Sequence, residues 1–271
     1  ISRFIMLITN DLQQLFLLIA QAPVVAILLA MVASEDIYSS YDDTKAIMFS
    51  IGCASIWLGL LNSVQEICKE KVILQKEHMA DLKLSSYLLS KFIVQGIIAF
   101  IQATLLVGIF QKIVGSSEHS ILIDGYWDIQ LVSFLSILAA ASTGLFISAV
   151  VKNSNIAMSV IPLILVPQLL YSGMLFKLDG ITDFVSNFVL CRWTVEALGT
   201  SVNLNDLTHI AQTINPLIEI EPENYFTFTT EHMIEVIGII LLMTAVMMLA
   251  SYFVLRKNVN NNKQDNKKKN A

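Results

Sequence analysis

Six apolar stretches dominate this chain: Leu15–Ala33, Ile47–Val64, Phe92–Val114, Leu131–Val151, Met158–Phe176 and Met233–Leu255. Each holds roughly 18 to 23 residues, or about 27 to 35 Å of helix, against a bilayer hydrocarbon core of about 30 Å. Leu and Ile predominate, and none of the stretches alternates with the period of two that a barrel strand requires. A soluble core has no room for six such segments. The composition agrees, with 14% charged residues and a mean hydropathy of +0.66, where soluble domains carry about 25% charged residues. The first stretch is too long, and followed by too many others, to be a cleaved leader. The expected fold class is an all-α membrane protein with six transmembrane helices.

Lys and Arg set the orientation of such a bundle. With the N-terminus in the cytoplasm, 13 of the 17 basic residues fall inside: Arg3, five lysines between the second and third stretches, Lys152, and six in the tail. The outer side keeps Lys45, Lys112, Lys177 and Arg192. Sixteen of the 22 acidic residues lie outside or at an outer helix end, among them Glu35, Asp36, Asp42 and Asp43. The expected topology is N-in and C-in. A net charge of −5 gives no electrostatic case for nucleic acid.

Residues 1–14 place Phe4, Leu7 and Ile8 on one face at helical spacing, which fits an amphipathic helix in the inner interface and, equally, a simple cytoplasmic extension of the first span. Residues 258–271 form a basic tail expected to be disordered and cytoplasmic. Gln65–Lys91 contains neither Pro nor Gly, so a continuous helix is expected there. On it, Glu66, Glu70, Glu77 and Asp81 share a row, and Lys69, Lys76 and Lys83 recur at seven-residue intervals beside it. Paired charge rows just inside a membrane suit a partner with matching charges; equally, they suit a solvated face. Lys177–His232 is the longest connection. Its first half is too polar to span and too apolar to be free loop, which fits a re-entrant or interfacial helical pair. Arg192 and Glu196 stand at i, i+4 there, and an ion pair would lower the cost of partial burial. Its second half, with Pro216 and Pro222, reads as a small outer cap.

No phosphate-cradling G-x-x-x-x-G-K-[ST], no H-E-x-x-H and no G-x-S-x-G occurs. His78, His119, His209 and His232 are mutually separate, which argues against a metal site. Deep in the apolar stretches the polar residues are uncharged: Gln21, Gln95, Gln102, Ser142, Thr143, Ser159, Gln168 and Thr244. Such residues bond between helices more often than they bind substrate. Among the three cysteines, Cys191 is alone in the outer region, which excludes an intrachain disulfide there. If the chain drives active transport, its energy enters through a partner.

Four segments carry a resemblance: QAPVVAILLA at Gln21–Ala30, the run Asn62–Lys91, PQLLYSGMLF at Pro167–Phe176, and RWTVEALG at Arg192–Gly199. Within the second, Glu70-Lys71, Lys76-Glu77, Tyr87 and Lys91 follow one family's pattern of charged pairs. Over Ile1–Lys257 the chain resembles the membrane domain of type-2 ATP-binding-cassette exporters of the G (white/breast-cancer-resistance) subfamily and its bacterial relatives. The resemblance implies a permease domain that pairs with a second such domain, identical or similar, around a cavity lined by spans two and five. It implies an ATPase domain, fused upstream or separate, that holds ATP and Mg; the chain itself has no cofactor and is not an enzyme. The loop between spans two and three becomes a coupling helix, with Glu66, Lys69, Glu70, Lys76 and Glu77 as its surface. Cavity candidates are Trp57 and Asn62 in span two and Leu165, Gln168 and Leu169 in span five. The implied location is a bacterial inner membrane. A non-transporting membrane scaffold or immunity-type protein, or a passive channel, is the alternative.

Overall fold

The computed structural model describes residues 12–33, 37–71, 74, 83–117, 119–176, 178–208 and 224–269. Residues 1–11 of the amphipathic helix expected over 1–14, Lys76, Glu77 and half of the outer cap lie outside them. Helices α1 (Leu12–Val32), α2 (Tyr41–Ser63), α3 (Leu84–Val114), α4 (Gly125–Val150), α5 (Ser154–Leu170), α6 (Ile181–Ser186), α7 (Leu190–Ser201) and α8 (Thr230–Lys269) carry the fold. No strand occurs among the described residues. Helices α2, α3, α4 and α8 as far as Asn258 are long and apolar enough to cross a membrane, while the apolar parts of α1 and α5 are shorter. Beyond Asn258 the backbone of α8 continues as helix to Lys269, where the sequence leads one to expect disorder from residue 258.

Helix α4 is the hub. It packs along α2, α3 and α8, and α1 joins through α3. Small residues make the α2–α4 seam. A Cβ on Gly59 would press into the Ile137 carbonyl and stand 2.7 Å from Ala140 Cβ and 2.9 Å from the Ala141 nitrogen. On the facing helix, a Cβ on Gly144 would collide with the Ser63 hydroxyl. Without a hydrophobic drive between helices in lipid, this close backbone approach supplies dispersion contact that larger side chains would prevent.

Polar side chains fasten α1, α2 and α3 together. Gln21 Nε2 donates to Asn62 Oδ1 (2.6 Å), Asn62 Nδ2 to Gln102 Oε1 (2.7 Å), and Gln102 Nε2 to the Leu18 carbonyl (2.7 Å). Gln95 Nε2 adds a bond to the Asn62 carbonyl (3.3 Å). Asn62→Leu removes the middle of this chain and is expected to cost about 1–2 kcal/mol, the upper range for bonds between helices in a membrane. A lowered melting temperature in detergent checks it; an unchanged one would show that lipid-facing groups replace the lost bonds.

Helix α5 starts before the fifth apolar stretch and ends six residues short of its end. Pro162 and Pro167 interrupt its backbone bonding, and the chain turns at Tyr171–Ser172 before Gly173 at φ 80°. Only Ala157 and Ile161 of this helix are buried.

Candidate functional site

The charged connection from α2 to α3 is not a continuous helix over its described part. Helix α2 stops at Ser63, and residues 64–70 wind in turns. No breaker residue explains the stop. The cause is Ser148 of α4, whose Oγ accepts from the Ile67 and Cys68 amides at 2.9 and 3.0 Å. Those amides would otherwise bond the carbonyls four residues back, so a hydroxyl from another helix diverts the path.

Glu66 and Glu70 do share a face, but it points inward. Lys91 of α3, with 2% of its side chain exposed, sets its ammonium 3.0 Å from Glu66 Oε2 and 2.9 Å from Glu70 Oε1. Tyr87 donates its hydroxyl to Glu70 Oε2 at 2.9 Å. Lys71 Nζ donates to the Val151 carbonyl at the end of α4 (3.1 Å). One short segment is thus moored to α3 by two carboxylates and to α4 by Ser148 and Val151. Among the candidate surface residues within the described part, Lys69 is exposed, Glu70 is partly exposed and Glu66 is buried.

The cavity candidates divide. Trp57 is 56% exposed on α2. Leu169 is exposed on α5, where Leu163 and Val166 also point away from the bundle. Leu165 packs against the core. Both ends of the Asn62 amide are occupied by Gln21 and Gln102. Gln168 Oε1 accepts from the Cys191 amide at the start of α7 (2.8 Å), tying α5 to α7.

The first half of the long connection forms two short helices, α6 and α7, and α7 is wedged among α2, α4 and α8. Cys191, which the sequence leaves without a partner, has Cys53 of α2 at 4.0 Å between sulfurs, both free thiols. Helix α2 touches α7 because Gly52 presents no side chain there: a Cβ would sit 3.2 Å from Thr194 and Val195 side-chain carbons.

Arg192 and Glu196 form the centre of a polar cluster. Their i, i+4 pair closes at 3.8 Å between Arg192 Nε and Glu196 Oε2. The guanidinium also reaches Asp183 Oδ1 (3.7 Å), Ser186 Oγ (2.8 Å) and the Asn187 side-chain oxygen. Its plane lies 4.9 Å from both the Trp193 and Tyr225 rings. From α8, His232 Nε2 stands 3.3 Å from Glu196 Oε1 and 3.0 Å from the Tyr225 carbonyl oxygen. Burial pushes the Glu196 carboxyl up to about 7 despite the nearby guanidinium, and the Glu235 and Asp183 carboxylates push the same way. Sequence supplied the Arg192–Glu196 pair; His232, Asp183 and Tyr225 join it only through the fold.

A family model described as ABC-2 type transporter matches residues 1–201. The chain is also 22% identical over 162 residues to the ABC transporter ATP-binding/permease protein Rv1747 of Mycobacterium tuberculosis (strain ATCC 25618 / H37Rv). That match covers 58% of this chain and 19% of the relative, so the chain corresponds to about a fifth of the relative's length.

Proposed function

Since the chain belongs to the ABC-2 type transporter family, an integral membrane permease, we propose that it forms the substrate path of an ATP-driven exporter. In this reading six helices span the membrane, α1, α2, α3, α4, α5 and α8, with both termini in the cytoplasm of a bacterial inner membrane. Two such domains pair, and an ABC ATPase, fused or separate, supplies ATP and Mg beneath them. The printed name of the Mycobacterium relative joins an ATP-binding and a permease part in one protein, and we extend that pairing to this chain.

The observation that carries the reading is the mooring of the α2–α3 connection. Lys91 holds Glu66 and Glu70, Ser148 holds the Ile67 and Cys68 amides, and Lys71 holds the end of α4. A displacement of this segment cannot be absorbed locally, because α3 and α4 must move with it. Lys69, Glu70, Lys76 and Glu77 are then the charged contacts toward the ATPase, with Glu66 acting behind them as an anchor. The exposed faces of α2 at Trp57 and of α5 at Leu163, Val166 and Leu169 line the path or meet the second copy. An apolar lining of that kind suits lipids, amphipathic drugs or hydrophobic peptides.

Lys69→Glu and Glu77→Lys test the coupling without touching the Lys91 pair. In the assembled, reconstituted transporter, each is expected to lower substrate-stimulated ATPase activity at least tenfold, about 1.4 kcal/mol of coupling, with the melting temperature unchanged. Full stimulation in both variants would remove the coupling surface. Failure of any ATPase to associate with the native protein would leave a scaffold or channel.

A further inference from the structure

We propose that Cys53 and Cys191 form a redox site, a dithiol that a hydroperoxide converts into a disulfide stapling α7 to α2. Only its place in the outer half of the membrane rests on the topology proposed above; the site itself rests on the packing of two helices.

The sequence holds three cysteines, and the fold joins two of them across 138 residues. Their sulfurs stand 4.0 Å apart, close enough for one thiol to donate to the other, and both are free. The outer connection offers Cys191 no second cysteine; its neighbour comes from span two. Backbone packing sets the contact. Cys191, Thr194, Val195 and Leu198 recur at helical spacing along the face of α7 that meets α2. A Cβ on Gly52 would lie 3.2 Å from Thr194 and Val195 and 3.5 Å from Leu198, and Cys53 follows it against Cys191. The Cys191 amide donates to Gln168 Oε1 at 2.8 Å, which holds the start of α7 in place. Thiols fixed in this way meet at an effective concentration far above that of thiols in solution. A disulfide of about 2.0 Å asks the sulfurs to close by about 2 Å, within reach of rotation at the two side chains. Cys68 is the contrast: its Sγ faces the Gln65 and Val64 carbonyls at 3.4 and 3.9 Å, not a sulfur.

Burial selects the oxidant. Cys191 is 1% exposed and Cys53 is half-buried. Cys53 lies six residues, about 9 Å, inside the second apolar stretch. A disulfide-donating protein does not enter to that depth, whereas a small uncharged peroxide does. The more exposed thiol reacts first. Cys53, as thiolate, attacks the terminal peroxide oxygen and breaks the O–O bond. This leaves a sulfenic acid on Cys53 and an alkoxide that takes up the proton Cys53 released. The Cys191 sulfur then displaces hydroxide from the Cys53 sulfur, and the Cys191 proton completes a water. Two thiols and one hydroperoxide become one disulfide, one alcohol and one water. Each sulfur gives up one electron, and the peroxide bond takes both. Oxidation fixes the outer helical pair to a spanning helix; a dithiol reductant frees it.

The test uses the full-length protein in lipid nanodiscs, first reduced, then exposed to tert-butyl hydroperoxide and denatured for thiol titration. Free thiols should fall from three per chain to one, with Cys68 remaining, and return to three with dithiothreitol. Digestion without reductant should give one linked peptide pair joining Cys53 to Cys191. Cys53→Ser should keep both of its thiols under the same treatment; should that variant fail to fold, the linked peptide of the native protein decides alone. An unchanged titre overturns the proposal, as do a link to Cys68, a link between two chains, or a sulfinic acid on Cys53 with no link. Two further arms identify the source. Faster oxidation by tert-butyl hydroperoxide than by hydrogen peroxide assigns a membrane-dissolved peroxide, and the reverse order an aqueous one; both keep the site. Glutathione disulfide acting as fast as either peroxide overturns the choice of oxidant. No arm needs transport or an ATPase, so a failed exporter reading and a failed redox site are told apart.

Discussion

Lys91→Ala is expected to lower the unfolding free energy by about 3 kcal/mol or more. Its ammonium is buried and holds two carboxylates, at 3.0 and 2.9 Å. Removing it leaves the buried Glu66 carboxylate without the ammonium that pairs it, which costs more than the ion pair itself contributes. Glu70 is better placed, since it is partly exposed and keeps the Tyr87 hydroxyl. The control follows from the same asymmetry. Lys91→Met combined with Glu66→Gln removes the charge and its partner together, and should recover most of the loss. Thermal unfolding in detergent, with folded yield as a second readout, distinguishes the two. A single Lys91→Ala variant as stable as the native protein would show that Glu66 is not buried as a charge. Beyond stability, the variant should uncouple the proposed ATPase contact even where it folds, because the segment carrying Lys69 is no longer moored.

The second large effect is steric. Gly59→Val should separate α2 from α4, since its side chain meets atoms that no rotamer change can move away: the Ile137 carbonyl, the Ala141 nitrogen and Ala140 Cβ. Overpacking a core costs typically about 1–3 kcal/mol, and a contact between two backbones sits at or above the top of that range. Gly238→Ala in α8 is the matched control. Nothing lies within 4 Å of its Cβ, so it should be neutral or gain up to about 1 kcal/mol from helix propensity. Equal melting temperatures for Gly59→Val and Gly238→Ala would refute the seam.

What could be read from sequence here was what hydropathy and spacing carry. The apolar runs land on helices because lipid leaves the backbone no alternative but internal bonding. The Arg192–Glu196 pair was legible because it is local. The Gln21, Gln95 and Gln102 amides do bond between helices, although the spacing could not say to which partners. Missed features depend on what another helix brings. Ser148 ends α2 from a place 80 residues downstream, and no pattern within Gln65–Lys91 encodes that. Glu66 and Glu70 were rightly set on one face, yet periodicity cannot tell an inward face from an outward one. A signal did exist: Leu84, Leu88 and Lys91 share the buried side of α3, so a cation standing in an apolar row was asking for buried anions. Small residues at Gly59 and Ser63, and at Ala140, Gly144 and Ser148, gave an equally readable hint of the seam. Cys53 and Cys191, 138 residues apart, gave none.

The amide chain through Gln21, Asn62 and Gln102 has a consequence for how the protein is made. Helix α1 leaves the ribosome before α2 and α3, yet the Leu18 carbonyl and Gln21 are completed only by those two helices. Gln102 lies 84 residues after Leu18, roughly 4 to 17 s later at ordinary rates of synthesis. Until Asn62 emerges, 41 residues after Gln21, the Gln21 amide has the Leu18 carbonyl of its own helix to bond, and its link to α3 through Asn62 and Gln102 closes later still. Helix α1 is a poor candidate for early release into lipid. The insertion machinery must keep α1 close until α3 arrives, so a substitution that weakens Gln102 would act on biogenesis before it acts on the finished bundle.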